Sequence, residues 1–191
     1  MTITTAINSE LFKAEFTINT TTSGDQVLFD AIATADGGFA VIYGNADGTA
    51  RVEQLDSELN LTDSTLMSGV NLPGGTFSVT DAALTQTPDG FLMAVLDVTD
   101  QGGGFVAFEF GRNQNGEQTF PDDYVITTNA LALNPDATAL NNGTVIVGYG
   151  IDFGNIFDAA RFLEVDGANN SATDNLLDGA QNFDVAAAAL E

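Results

Sequence analysis

The sequence contains no cysteine, no histidine and no tryptophan, and it sets only four cationic side chains against 27 carboxylates. Without cysteine there is no disulfide framework to hold a small fold together. Without histidine and cysteine, zinc and haem sites of the usual kinds are excluded, as are Ser-His-Asp and Cys-His nucleophilic sites. Lys13 is the single lysine, so Schiff-base chemistry would have to use that residue. The formal net charge of -23 repels phosphate backbones and anionic lipid surfaces, which argues against a nucleic-acid partner and against a membrane surface. No apolar run approaches the length of a spanning helix, so membrane insertion is not expected. Met1 to Ala6 has neither the basic region nor the long apolar stretch of a Sec-type leader.

What remains is globular composition. Of 191 residues, 44% are hydrophobic and only 16% charged, so the chain can build a core despite its acidity. The length fits a single domain. Three segments share one pattern: an alternating strand, a tight polar turn containing Gly, then a strongly apolar strand. They run from Phe29 to Tyr43, from Phe77 to Leu96 and from Asp136 to Tyr149. The turns are Asp36-Gly37-Gly38, Pro88-Asp89-Gly90 and Asn141-Asn142-Gly143, and Asp/Asn-Gly between apolar runs is a strong hairpin signal. Taking Gly38, Gly90 and Gly143 as the turn glycines gives spacings of 52 and 53 residues.

Each hairpin is followed by a further Gly-containing turn and a third strand. Ala50-Arg51-Val52-Glu53-Gln54-Leu55-Asp56 matches Ala160-Arg161-Phe162-Leu163-Glu164-Val165-Asp166, and Val106 to Phe110 takes that place in the middle unit. A weaker fourth strand follows near Leu59–Met67, Gln118–Thr127 and Ala172–Leu177. The expectation is one all-β domain of tandem four-stranded antiparallel units, at 15–66, 67–125 and 126–178, with a fourth opening at 179–191. Four short strands at a period near 50 is β-propeller-like spacing, here about three and a half blades. Closed propellers have four or more blades. The chain is therefore expected either to be part of a longer protein or to close by dimerisation, with the strand near Phe16–Asn19 completing a blade begun by the C-terminus. The ending Ala187-Ala188-Ala189-Leu190-Glu191 reads equally as a vector-derived tail or as natural strand. A trimmed propeller fragment made for assembly studies is a further possibility.

Glu15-Phe16-Thr17-Ile18-Asn19-Thr20-Thr21-Thr22-Ser23-Gly24-Asp25-Gln26 resembles the EFxVNTxTxGDQ segment of an adhesin-like bacterial repeat family of type I (RTX-associated) secreted proteins. Ala31-Ile32-Ala33-Thr34-Ala35-Asp36-Gly37-Gly38-Phe39-Ala40-Val41 resembles its VAALADGGFVVVW continuation. The second and third units match only at the level of hairpin and strand. The resemblance implies propeller-like blades, a secreted or cell-surface location in a bacterium, and a non-catalytic role. Two features depart from the family. Tyr43, Leu96 and Tyr149 stand where it has Trp, and the glycine-rich GGxGxDxUx calcium nonapeptide is absent.

The candidate chemistry is carboxylate-based. Asp30, Asp81, Asp136 and Asp184 lie at or near successive first strands, where they either line a central channel as glycosidase acid and base or cap turns. Their recurrence in every unit favours an architectural role. Asp97, Asp100, Asp122 and Asp123 are the candidate ligands for one calcium ion, although no loop has EF-hand spacing and the alternative is a solvated acidic surface. Arg51, Arg112 and Arg161 are expected to pair with carboxylates. The sharper alternative is a carbohydrate or carboxylate ligand held by Arg51 and Arg161, with Tyr43 and Tyr149 as exposed stacking rings. Gly102-Gly103-Gly104 leads into a strand and lacks the GK[ST] ending, so it is a hairpin turn rather than a phosphate loop. The function expected is a structural or recognition module acting in self-assembly, adhesion or weak glycan binding, without a required cofactor. The alternative is a glycoside-hydrolase-like enzyme using hub carboxylates.

Overall fold

The computed structural model describes residues 24–67, 78–88, 90–98, 104–112, 118–119, 124–127, 132–151, 159–166 and 171–176. Among these, all regular structure is antiparallel β and there is no helix. The first sheet has strands β1 (Gln26–Ala33), β2 (Phe39–Asn45), β3 (Ala50–Leu55) and β4 (Leu61–Met67), in that order. The second has β5 (Val79–Gln86), β6 (Leu92–Val98) and β7 (Gly104–Arg112), with β8 (Gln118–Thr119) and β9 (Tyr124–Thr127) both pairing to β7. The third has β10 (Ala132–Ala139), β11 (Val145–Ile151), β12 (Ala159–Asp166) and β13 (Ser171–Leu176). The all-β antiparallel architecture is as expected, in three sequential sheets of which none closes on itself. The fourth strand of the middle unit is two short pieces rather than one. The fourth unit expected at 179–191 lies outside the described residues.

One turn design recurs. Gly37 N–H donates to Thr34 O while Thr34 N–H donates to Gly38 O, and the same pair of bonds joins Gly90 to Thr87 with Thr87 to Phe91, and Gly143 to Leu140 with Leu140 to Thr144. The left-handed residues are Gly37, Gly90 and Gly143, with φ of 87°, 92° and 86°. This is the three-residue hairpin loop ending in a left-handed residue. It corrects the repeat arithmetic: the turn glycine of the first unit is Gly37, not Gly38, and both spacings become 53 residues. Gly38 is needed for a different reason, since a Cβ there would run into the Leu55 carbonyl oxygen. The β2–β3 and β3–β4 turns repeat the design, with Gly48 and then Leu59 (φ 67°) in the left-handed position. Asp36, Asp47 and Asn142 each accept the N–H two residues on, at Gly38, Thr49 and Thr144. Their carboxylates and amide are turn fixtures.

The core lies between sheets. Ala40, Ile42, Ala50, Val52 and Met67 of the first sheet pack against Val79, Ala82, Leu84, Leu92, Ala94, Leu96 and Val98 of the second. The opposite face of the second sheet, through Ala83, Met93 and Val95, packs against Ala137, Val145, Val147 and Tyr149 of the third. Successive residues of a strand face opposite sides, so a sheet covered on both faces needs a continuous apolar run. Leu92 to Leu96 is such a run, and every residue of the strand is buried, Asp97 included.

Gly90 and Gly143 give a clean test, because nothing lies within 4 Å of a Cβ added at either. Substitution by alanine therefore reports backbone strain alone. We expect Gly90→Ala and Gly143→Ala each to lose about 1 kcal/mol in urea unfolding, the cost of a left-handed L-residue. A neutral result at both would mean that the turns differ from those described.

Candidate functional site

The first strands β1, β5 and β10 come together. Among the described residues each lies at the edge of its own sheet and pairs with one strand only, so its outward-facing peptide groups have no ladder partner there. Side chains and one backbone carbonyl of the neighbouring unit bond to the first strands and to the β1–β2 turn. Asp30 Oδ2 accepts the Leu84 N–H at 2.7 Å, and Thr85 Oγ1 accepts the Ala139 N–H at 3.0 Å. Gln86 Oε1 accepts the Ala35 N–H at 2.7 Å, and Gly48 O accepts the Val79 N–H at 2.8 Å. At one end of the three strands is an open cleft of about 470 Å³, lined chiefly by Ile32, Thr34, Leu84, Thr85, Gln86 and Thr138. Among the described residues no titratable side chain lines it.

Asp30, Asp81 and Asp136 occupy related positions. In each case the ladder register shifts just before the aspartate, and the aspartate Oδ1 accepts its own following N–H, at Ala31, Ala82 and Ala137. The bulge in β10 also accommodates Pro135 and left-handed Asn134, which an uninterrupted ladder would not. Asp184 lies outside the described residues. Asp81 stands directly opposite Asp97 on β6. Burial is the main influence raising the Asp81 carboxyl; the Ala82 N–H opposes it and the Asp30 charge adds to it. Asp97 is pushed up to about 6, first by burial, then by the Asp81 charge, with the Thr80 side chain acting in the opposite direction.

The candidate ligand positions fare differently. Tyr43 and Tyr149 are not exposed stacking rings: their relative exposures are 5% and 0%. The reason is the two-sided burial of the second strands. Tyr149 packs with Ala83, Met93 and Val95, and Tyr43 Oη donates to the carboxylate of fully buried Glu53 at 2.9 Å. Arg51 and Arg161 stand opposite Tyr43 and Tyr149 in matching register. The Arg51 guanidinium donates through Nη1 to Ser64 Oγ at 2.8 Å, a hydroxyl where a carboxylate was expected. The side chains of Arg112 and Arg161 lie outside the described set.

Asp97 is not in a solvated loop; it is a strand residue with 5% exposure. Its partners in the calcium expectation, Asp100, Asp122 and Asp123, lie outside the described residues. Among the described residues no group of three or more carboxylates is placed to hold a metal ion. Glu53 was not singled out from the sequence. Its signal is positional: it faces Val41 in register, while Phe108 and Leu163 stand at the matching positions opposite Ala94 and Val147.

No family model matches the chain, and neither a curated protein nor a solved structure does.

The elevated Asp97 carboxyl sets a pH dependence. Its folded value lies above the unfolded value of about 4, so the folded state binds more protons between the two and stability falls as pH rises from about 4 to about 6. Asp36 and Asp47 act in the opposite sense at lower pH. The Thr34 side chain, and for Asp47 the Thr49 side chain, leads the interactions that hold them below the usual value, so their contributions are lost on further acidification. Asp97→Asn is expected to raise stability at pH 7 by roughly 2 kcal/mol and to flatten the slope between pH 4 and 6. Thermal melts of both proteins across that range check this, and a parallel pair of curves would contradict it.

Proposed function

We propose that this chain is a non-catalytic structural and recognition module of a secreted or cell-surface bacterial protein, acting in self-assembly, adhesion or weak glycan binding. Its units are read as propeller-like blades, and two copies are read as completing one ring. One observation carries the reading: three polar side chains where the first strands meet are committed to the backbone of a neighbouring unit. Asp30, Thr85 and Gln86 each accept a peptide N–H from a neighbouring unit. Groups used this way hold the architecture rather than turn over a substrate. The resemblance of residues 15–41 to the secreted repeat family supports the same role and location.

A second reading has its own observation. Asp81 and Asp97 form one carboxylate pair with raised values, and the matching positions in the other sheets are Leu28 with Gly44 and Asn134 with Gly150. An acid and base in unlike surroundings is the pattern of a glycoside hydrolase. Against it, neither aspartate lines the cleft.

Light scattering after gel filtration, with calcium and then with chelator, tests the assembly reading. A mass near twice 19.9 kDa is expected in both conditions. A monomer at every concentration would remove ring closure between copies. Turnover of chromogenic aryl glycosides that Asp97→Asn abolishes would favour the enzyme instead.

A further inference from the structure

Positions one period apart differ in cover from sheet to sheet. Phe39, Leu92 and Val145 open β2, β6 and β11 at successive 53-residue steps. Leu92 and Val145 are 2% and 0% exposed, whereas Phe39 is 44% exposed. Ala31, Leu84 and Ala137 form a second such set, in register with Val41, Ala94 and Val147. Leu84 and Ala137 are buried, and Ala31 is exposed. The neighbour makes the difference. Leu84 and Leu92 pack on the first sheet, and Ala137 and Val145 pack on the second. Among the described residues no sheet packs on this side of the first sheet. Leu28, Phe39, Leu61 and Leu66 form an exposed apolar rim there, around buried Val41, Tyr43 and Leu55. Ladder register puts them on one face: Leu28 opposite Tyr43, Phe39 opposite Leu55, Leu55 opposite Leu61, and Leu66 opposite Arg51.

The covering side repeats as well. Ala40 and Ile42 of the first sheet cover the second, and Met93 and Val95, one period on, cover the third. Ile146 and Gly148 hold those positions in the third sheet, with Phe162 opposite Gly148 as Val52 is opposite Ile42. Ile146 and Phe162 are only partly buried. The second sheet lies between the other two, so this face and the open face of the first sheet point away from each other. One copy does not bring them together; two copies can. A polar contact fits the same pairing. Thr85, on the covering side, accepts the Ala139 N–H of the sheet it covers. Thr138 stands one period after Thr85, and Ala33 stands two periods before Ala139. Thr34 N–H bonds back to Gly38 O, as Leu140 N–H does to Thr144 O, so the Ala33 N–H points away from β2 as the Ala139 N–H does from β11.

We infer that the open face of the first sheet is the docking surface for a second copy of this chain, which presents the Ile146 and Phe162 face of its third sheet. The rim of Leu28, Phe39, Leu61 and Leu66 is what it covers, and Thr138 of one copy accepts the Ala33 N–H of the other. With two copies this contact forms twice and leaves neither face open. The inference rests on the reading of the units as blades that pair into one ring, and it names the surfaces that meet. Each copy carries a formal charge of -23, so the apolar contact forms against repulsion that salt screens.

Light scattering of the intact protein and two variants, over a concentration series at low and high salt, tests this. The unaltered protein is expected near twice 19.9 kDa, and more tightly associated at high salt. Phe39→Glu with Leu66→Glu changes two exposed side chains of the first sheet; Ile146→Glu changes the third. Each variant, checked for a cooperative melt, is expected to be monomeric, its association weakened by roughly a hundredfold or more by the charge placed in the contact. Mixed in equal amounts, the variants are expected to recover a dimer through the one pair of faces that neither change touches. A dimer that survives Phe39→Glu with Leu66→Glu would overturn the inference and leave two-copy assembly standing. A mixture that stays monomeric would overturn the head-to-tail pairing, and association weakened by salt would overturn the apolar contact. An unaltered protein that is monomeric at every concentration would remove both the inference and the ring.

Discussion

Among the described residues each sheet starts with a strand that has a hydrogen-bonded neighbour on one side only, and peptide N–H groups on its other side find acceptors in a neighbouring unit. A buried amide without a partner costs about 1–3 kcal/mol, so this edge cannot be left open within a core. Here three of the acceptors are side chains and a fourth is the Gly48 carbonyl. The Asp30 carboxylate and the Thr85 hydroxyl each take one N–H from a strand of another sheet, and the Gln86 amide oxygen takes the Ala35 N–H of the β1–β2 turn. Three sheets are thereby tied at their first strands, while apolar side chains fill the space between their faces.

The same arrangement accounts for the unusual charges. A bulge before Asp30, Asp81 and Asp136 rotates the aspartate so that it meets its own following amide. Asp30 then has its second oxygen available for Leu84. In the middle unit the bulge falls two residues earlier in the repeat, so Asp81 meets Asp97 across the ladder instead. Burial and the neighbouring charge together raise Asp97 to about 6. Glu53 is the other buried acid among the described residues, held by the Tyr43 hydroxyl at a position where the matching residues are Phe108 and Leu163. The repeat is thus nearly regular in backbone and irregular in its buried polar groups.

Much of the architecture was legible in the sequence because it rests on local signals. Glycine after Asp or Asn marked the turns, and a continuous apolar run such as Leu92–Leu96 marked a strand covered on both faces. The repeat was visible to within a residue, and was displaced only because Gly37 and Gly38 are adjacent and serve different ends. The site was less legible. Tyr43 and Tyr149 looked like surface rings because a tyrosine at a strand end is amphipathic, and only the sheet packing decides whether its hydroxyl meets water or Glu53. Asp97 followed an apolar run and preceded polar residues, which reads as a loop; register with Asp81 places it in the strand. The bonds from Asp30 to Leu84 and from Thr85 to Ala139 join residues more than 50 positions apart, and no local pattern announces them.

The claim that side chains close the strand edges is tested most directly at the Leu84 amide, compared between the unaltered protein and Asp30→Ala by hydrogen exchange. The account predicts that Leu84 exchanges as slowly as the β6 ladder amides, and that loss of the Asp30 carboxylate speeds it by roughly tenfold while Val95 stays protected. Rapid exchange of Leu84 in the unaltered protein, or exchange indifferent to Asp30, would contradict it.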